Sequence, residues 1–179
     1  MDRWFTILVL CLVVVLHNAQ RLAPVVLLTE LCLRFNVAYI GGGNLFSAFL
    51  FGTALANIPV GILADRYGSK GLIATGAVLG LLLSAIFALT NNYWIAVAAR
   101  FGLGAGSSLL FVPTLRYIVF SFPKDQRGLA MGFVQVGTAV GMIFSLTILP
   151  FFFKRFDLIG TFLVLPVLSF VVFGSVLFC

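Results

Sequence analysis

Charge is scarce in this sequence. Eleven Lys and Arg and five Asp and Glu make up 9% of the 179 residues, whereas a soluble domain carries about 25% charged residues to cover its surface. Most of the surface therefore faces something other than water, which excludes an ordinary soluble globule. Acidic side chains are the rarest, and none falls inside an apolar run: Glu30 closes one, and Asp65, Asp125 and Asp157 lie between others. A carboxylate that binds protons reversibly within an apolar helix is thus missing here. Cys11, Cys32 and Cys179 stand alone, with no CxxC pair, so neither a metal site nor a disulfide framework is indicated and each reads as a small packing residue. Gly104-Ala105-Gly106-Ser107-Ser108 offers serines among glycines, but His17 is the only histidine and no acid is placed to orient it. A phosphate-cradling P-loop is absent as well. These absences leave no catalytic residues, no cofactor, no metal and no enzyme reading.

What is present is hydrophobic sequence, at 62% of positions with a mean hydropathy of +1.19. Twenty Phe and eighteen Gly suit helices packed in lipid, Phe facing acyl chains and Gly letting backbones approach. A helix crossing the hydrocarbon core needs about 20 apolar residues, and that length predicts six spans: 4–28, 39–61, 71–90, 93–120, 128–150 and 157–178. The expected breaks are Thr29 to Ala38, Asp65 to Lys70, Asn91-Asn92, Phe122 to Arg127, and Phe153 to Asp157. Arg3 followed by Trp4 to Leu16 also has the look of a cleaved leader, but apolar sequence resumes at Leu22 to Leu28 and no polar mature segment follows. The net charge of +6 is spread over the breaks rather than gathered into a basic face, so it implies topology and not a nucleic-acid partner. Arg3, Arg66, Lys70, Lys124 and Arg127 on one side, against Arg34, Lys154 and Arg155 on the other, favour a cytoplasmic N-terminus. Arg116 joins the inner group by snorkelling. GxxxG spacing at Gly76/Gly80, Gly102/Gly106, Gly128/Gly132 and Gly137/Gly141 predicts close helix crossings. Pro24, Pro113, Pro150 and Pro166 lie within or near span ends, where they can kink a helix.

The most specific stretch is Gly61-Ile62-Leu63-Ala64-Asp65-Arg66-Tyr67-Gly68-Ser69-Lys70, between the second and third spans. Gly61 would allow tight helix contact, Gly68 a turn at positive φ, and Asp65 could accept charge-assisted bonds from a helix N-terminus or a neighbouring Arg. The stretch resembles the signature Gly-x-Leu-Ala-Asp-Arg-x-Gly-Arg-Lys of the major facilitator superfamily, departing only at Ser69. In span four, Arg100-Phe101-Gly102-Leu103-Gly104-Ala105-Gly106 is similar to that family's Arg-x-x-x-Gly-x-Gly pattern. The resemblance implies the N-terminal six-helix half of a transporter, built as a 3+3 inverted repeat and completed by a second bundle. It also implies a conformational latch at Gly61, Asp65, Arg66, Gly68 and Lys70, and a coupling role for Arg100, Gly104 and Gly106. The family's drug antiporters carry a Gly-Pro signature in span five. Here Thr138 stands where Pro is expected, which counts against drug/proton antiport.

Span one holds the least explicable residues. His17, Gln20, Arg21 and Pro24 recur at i, i+3, i+4 and i+7 on one side of a helix, with Asn18 beside them. An Arg so deep costs about 2.5 kcal/mol or more unless water, a carbonyl or an anion meets it. Arg21 therefore reads either as a cavity cation for an anionic solute, with Asn18, Gln20 and Gln135 adding hydrogen bonds, or as a cation satisfied by Gln135 or by snorkelling. His17 reads as a helix-packing histidine ahead of a proton carrier. Arg100, Gly104, Ser107, Phe111 and Thr114 share one face of span four, so Arg100 reads as an inward-facing cation, or as one that snorkels outward from some six residues inside the span. Gln135, Thr138 and Ser145 form a polar stripe on span five, and Asn44, Ser47, Thr53 and Asn57 another on span two.

The expected function is secondary transport of a small, possibly anionic, solute by alternating access. The membrane would be the cell's inner or plasma membrane. The second bundle would come from a missing C-terminal half, a separate chain or a homodimer. The competing expectation is a non-transporting assembly partner, or a remnant that kept the fold.

Overall fold

The computed structural model describes residues 3–151, 153–155, 159–164 and 167–168, and every regular element among them is helical. The helices are α1 (Arg3–Val26), α2 (Leu28–Phe35), α3 (Tyr39–Tyr67), α4 (Ser69–Leu89), α5 (Tyr93–Ser121) and α6 (Arg127–Thr147). After one turn residue, helical conformation resumes at 149–151 and 153–155, and appears again at 159–164. Among the described residues, five helices are long and apolar enough to cross a membrane: Ile7–Val26, Tyr39–Tyr67, Gly71–Leu89, Tyr93–Ser121 and Arg127–Arg155. The sixth expected span, 157–178, falls mostly outside the described residues, as do Pro166 and Cys179.

Two expected breaks are largely helix. Thr29 to Ala38 contains α2, whose Leu31 and Phe35 are buried while Thr29 and Leu33 are exposed. A short amphipathic helix of about two turns needs no continuous apolar run, so hydropathy reads it as a gap. Asn36, left-handed at φ 50°, ends α2 by donating its N–H to Cys32 and Leu33 carbonyls. The charged turn from Asp65 to Lys70 is shorter still: α3 runs on through Tyr67, α4 starts at Ser69, and only Gly68 lies between them. Its φ of 77° is where a side chain would be strained. Asn92 starts α5 by accepting from the N–H groups of Trp94 (2.9 Å) and Ile95 (3.3 Å).

The packing has an internal symmetry. α1 lies along α6, α3 lies along α5, and α4 also packs on α5. With α2 set aside as a connector, the first helix of each three-span set embraces the second helix of the other. That is the relation a 3+3 inverted repeat requires. α1 is an integral bundle helix, with Val13, Val14, Leu16, Ala19 and Ala23 buried.

Glycines set both crossings. A Cβ on Gly52 would fall on the Phe101 carbonyl oxygen of α5, and one on Gly104 would fall on the Phe49 carbonyl oxygen of α3. The pair locks the helices backbone to backbone. Thr53 Oγ1 then reaches the Gly104 carbonyl at 3.1 Å, and Ser108 Oγ donates to the Thr53 carbonyl at 3.1 Å or to Asn57 Oδ1 at 2.8 Å. On the other side, Gly137 and Gly141 press on the α1 backbone at Cys11 and Val15, and Ser145 Oγ donates to the Ala19 carbonyl at 3.0 Å. The GxxxG expectation holds for Gly137/Gly141 and for Gly76 and Gly102, which meet Leu109 and Leu83. It does not hold for Gly80, Gly128 and Gly132, where a Cβ would meet nothing within 4 Å among the described residues. Gly61 likewise makes no close approach among the described residues.

Candidate solute-binding cavity

Midway along the bundle, α1, α3, α5 and α6 leave a cavity of about 300 Å³ lined by His17, Asn18, Arg21, Phe49, Thr53, Asn57, Ser107, Phe111, Gln135 and Thr138. Each wall residue arrives on a helix fixed by the glycine crossings, so the polar atoms converge from helices that cannot slide freely. Asn18 and Arg21 line this one space together with Gln135, which is more than a hundred residues away in sequence. Gln20 does not. Its Nε2 donates to Ser84 Oγ of α4 at 2.7 Å, and Ser84 Oγ donates in turn to the Phe162 carbonyl at 2.9 Å. Gln20 instead borders a narrower crevice of about 30 Å³ between α1, α4 and α5, which His17 and Arg21 also reach. His17 and Arg21 border both spaces, Gln20 only the crevice and Asn18 only the cavity, while Pro24 borders neither.

Asn18 Nδ2 donates to the Val14 carbonyl at 2.9 Å, within its own helix, which leaves its oxygen for another partner. The polar stripe on α3 is partly consumed by helix–helix bonds, through Thr53 and Asn57 to α5 and through Asn44 Nδ2 to Tyr93 Oη at 3.4 Å. No carboxylate lines the cavity or the crevice among the described residues. Arg21 Nε is buried with no hydrogen-bond partner there. A buried guanidinium N–H without a partner is costly, and the described wall residues present it nothing of opposite charge.

Arg100 occupies a different environment. It is 0% exposed, so it does not snorkel. Its guanidinium sits 5.2 Å from the ring centroids of both Phe49 and Phe87, an arrangement worth about 2 kcal/mol when desolvated. Its Nη2 donates to the Arg21 carbonyl at 3.1 Å. Arg100 thus joins α5 to the α1 backbone at Arg21. Gly104 faces α3, as described, whereas Gly106 faces Leu79 of α4. The three residues that share the span-four pattern serve three different contacts.

At one end of the bundle Asp65 Oδ1 meets Arg116 Nη1 at 3.3 Å, joining the ends of α3 and α5. Asp65 remains 78% exposed, and Arg66 is exposed beside it. Arg116 also lies 5.1 Å from the Phe120 ring centroid. The sequence suggested a neighbouring Arg for Asp65, but not that it would come from another helix. At the opposite end Arg34 Nη2 donates to the carbonyls of Ala88 at 2.7 Å and Thr90 at 2.9 Å, capping α4. No spacing in the sequence pointed to this clasp.

The sequence profile of the major facilitator superfamily matches residues 6–179. The chain belongs to the major facilitator superfamily. It is an integral, multi-pass membrane protein of a transporter family. Among curated members of the superfamily it is similar to the Arabidopsis thaliana probable anion transporter 4, chloroplastic. The two are 27% identical over 165 residues, covering 91% of this chain and 31% of that protein. The A. thaliana protein zinc induced facilitator-like 1 is 33% identical over 96 residues, covering 54% of this chain and 20% of that one. A probable sugar efflux transporter of Pasteurella multocida is 24% identical over 129 residues, covering 72% and 32%. The chain therefore spans about a third or less of these relatives' lengths. Among solved superfamily structures, a bacterial homologue of the human lysosomal transporter Spinster, inward-facing and unoccupied, superposes with a TM-score of 0.85. It shares 19% identity, over 98% of this chain and 42% of that one. The E. coli fucose:proton symporter gives 0.77, also at 19% identity, over 98% and 49%. These structural likenesses show the fold.

Proposed function

We propose that this chain forms one bundle of a secondary active transporter that moves a small anionic solute by alternating access. The carrying observation is Arg21: a guanidinium on a cavity wall without a carboxylate, its Nε unpaired. A carboxylate or phosphate entering the cavity offsets that charge with the short, forked hydrogen bonds that suit Arg. Asn18 and Gln135 supply further polar atoms around the solute, and Gln20 steadies α1 from behind through Ser84. The similarity to a protein named a probable anion transporter supports the same reading.

Alternating access needs a second bundle across the cavity, supplied by further sequence, a separate chain or a second copy. The exposed Asp65 and Arg66, with Gly61, Gly68 and Lys70 in the same connection, form the latch against it. Arg100 with Gly104 and Gly106 keeps α1, α3 and α4 in register on α5 while the bundles rock. The charge distribution supports a cytoplasmic N-terminus in a cell membrane.

Uptake into cells producing the protein that carries this chain tests the reading, with radiolabelled inorganic phosphate, lactate and gluconate as probes and glucose as a neutral control. Arg21→Ala should raise KM for a transported anion by about tenfold to a hundredfold, the equivalent of losing one charged hydrogen-bonded contact of about 1.5–3 kcal/mol. Arg21→Lys should retain part of the affinity. Unchanged anion uptake in Arg21→Ala, or uptake of glucose alone, refutes the anionic assignment. A protein inert toward all probes that still assembles in the membrane would support the assembly-partner alternative.

A further inference from the structure

We propose that the solute is a hydroxylated organic acid long enough to span the cavity, its carboxylate on Arg21 and its hydroxyls on the acceptors and donors along the walls. This rests on the anionic reading of the cavity and names the class of anion.

The length follows from helix register. Gly137 presses on Cys11 and Gly141 on Val15, and Ser145 bonds to Ala19, so α6 runs parallel to α1 at a constant offset of 126 residues. By that register Thr138 lies level with Leu12, about 9 Å before Asn18 along the bundle at about 1.5 Å per residue. The polar wall thus extends over more than a helical turn, from Arg21 and Asn18 to Thr138 and Gln135. Inorganic phosphate, or an acid as short as lactate, held at Arg21 leaves the far end unmet. The volume of about 300 Å³ also reaches the range of about 300–1,000 Å³ usual for small-molecule pockets, more than a bare inorganic anion fills.

The hydroxyls follow from the kind of polar atom on offer. Asn18 Nδ2 is occupied by the Val14 carbonyl, so Asn18 presents its oxygen. Thr138 Oγ1 donates to the Val134 carbonyl at 3.2 Å, so it too presents lone pairs. Asn57 does the opposite. Its Oδ1 accepts from Ser108 Oγ at 2.8 Å, which leaves its Nδ2 hydrogens to donate. Gln135 carries one group of each kind. Beyond Arg21 the walls therefore mix acceptors with donors. A carboxylate oxygen only accepts, and against Asn18 or Thr138 it would set oxygen against oxygen. A hydroxyl donates and accepts, so it matches either kind of atom. Phe111 adds an apolar surface for the carbon chain. A site built to bond hydroxyls discriminates sharply against an analogue that lacks them, because its own polar atoms are then left unpaired.

Thermal stabilisation of the purified full protein in detergent, measured as each ligand is titrated, reads binding without requiring transport. Gluconate should bind at least about tenfold more tightly than hexanoate, which has its carbon chain without its hydroxyls, and more tightly than lactate, phosphate or glucose. Thr138→Val should weaken gluconate about fivefold, the effect of one neutral hydrogen bond, and leave lactate unchanged. Thr138→Ser keeps the oxygen and should bind gluconate as the wild type does, which guards against a folding defect. Hexanoate, lactate or phosphate binding as tightly as gluconate overturns the class while leaving the anion site intact, as does undiminished gluconate affinity in Thr138→Val. Glucose binding as tightly as gluconate, or gluconate affinity unchanged in Arg21→Ala, instead refutes the anionic reading beneath it. A wild type stabilised by none of these ligands overturns both.

Discussion

The α3–α5 crossing gives a prediction whose size can be worked out. A methyl at Gly104 lands on the Phe49 carbonyl oxygen and near the Thr53 nitrogen, and both are backbone atoms that no rotamer change can move. The helices must part or tilt. Overpacking of this kind costs about 1–3 kcal/mol. Separation also stretches the bonds from Thr53 Oγ1 to the Gly104 carbonyl and from Ser108 Oγ to the Thr53 carbonyl, at about 0.6 kcal/mol each in a membrane bundle. Gly104→Ala should therefore destabilise by about 2–4 kcal/mol. Gly52→Ala should cost a similar amount, because its methyl meets the Phe101 carbonyl oxygen from the opposite side. Gly71→Ala, where nothing lies within 4 Å, should stay within about 0.5 kcal/mol. The double variant at Gly52 and Gly104 should cost clearly less than the two singles together, since one parting of the helices relieves both clashes. Reversible unfolding in mixed micelles, followed by circular dichroism against mole fraction of SDS, measures all four. Equal effects at Gly104 and Gly71, or strict additivity of the pair, would refute the reciprocal crossing.

Other consequences separate structure from transport. Asp65→Asn should change stability by no more than about 0.5 kcal/mol, because its pair with Arg116 is largely solvent-exposed, yet it should slow uptake several-fold if the connection latches the bundles. Equal losses of stability and uptake would argue against the latch. Arg34→Met removes the donors to the Ala88 and Thr90 carbonyls at the end of α4 and should cost about 1–3 kcal/mol in the same unfolding assay, with little change in KM for the anion. A topology of cytoplasmic N-terminus predicts that a thiol introduced by Lys124→Cys, in a protein with its native cysteines replaced, reacts only from inside. Asn91→Cys should react only from outside, as read by impermeant maleimide labelling of intact cells, and the reverse pattern would invert the assignment.

Sequence reasoning reached unevenly into this molecule. The apolar runs had to become helices, because lipid offers no partner for a backbone N–H or carbonyl, and their lengths located the spans. The ends were less legible. Asp65, Arg66 and Tyr67 look like a loop by charge but extend α3, since charged side chains beyond the hydrocarbon boundary do not interrupt backbone hydrogen bonds. Thr29 to Phe35 looks like a gap but contains α2, because a short helix needs buried residues only at Leu31 and Phe35. Periodicity put His17, Gln20 and Arg21 on one side of α1. It could not divide them between the cavity and the bond to Ser84, which depends on where α4 stands.

By itself, then, the sequence determined a lipid-embedded helical bundle, and its Gly61–Lys70 and Arg100–Gly106 motifs matched the superfamily to which the chain belongs. Those features are carried by composition and by residues close together in the chain, so no fold is needed to read them. The tertiary structure alone decided which glycines meet backbones and that Arg116 and Arg34 each clasp a distant helix. It alone seated Arg100 between two Phe rings behind Arg21 and gathered Arg21, His17 and Gln135 around one cavity. The physical reason is that a helix face becomes a wall, a lipid surface or a crossing only when its neighbours are placed, and that placement is set by contacts fifty to more than a hundred residues apart.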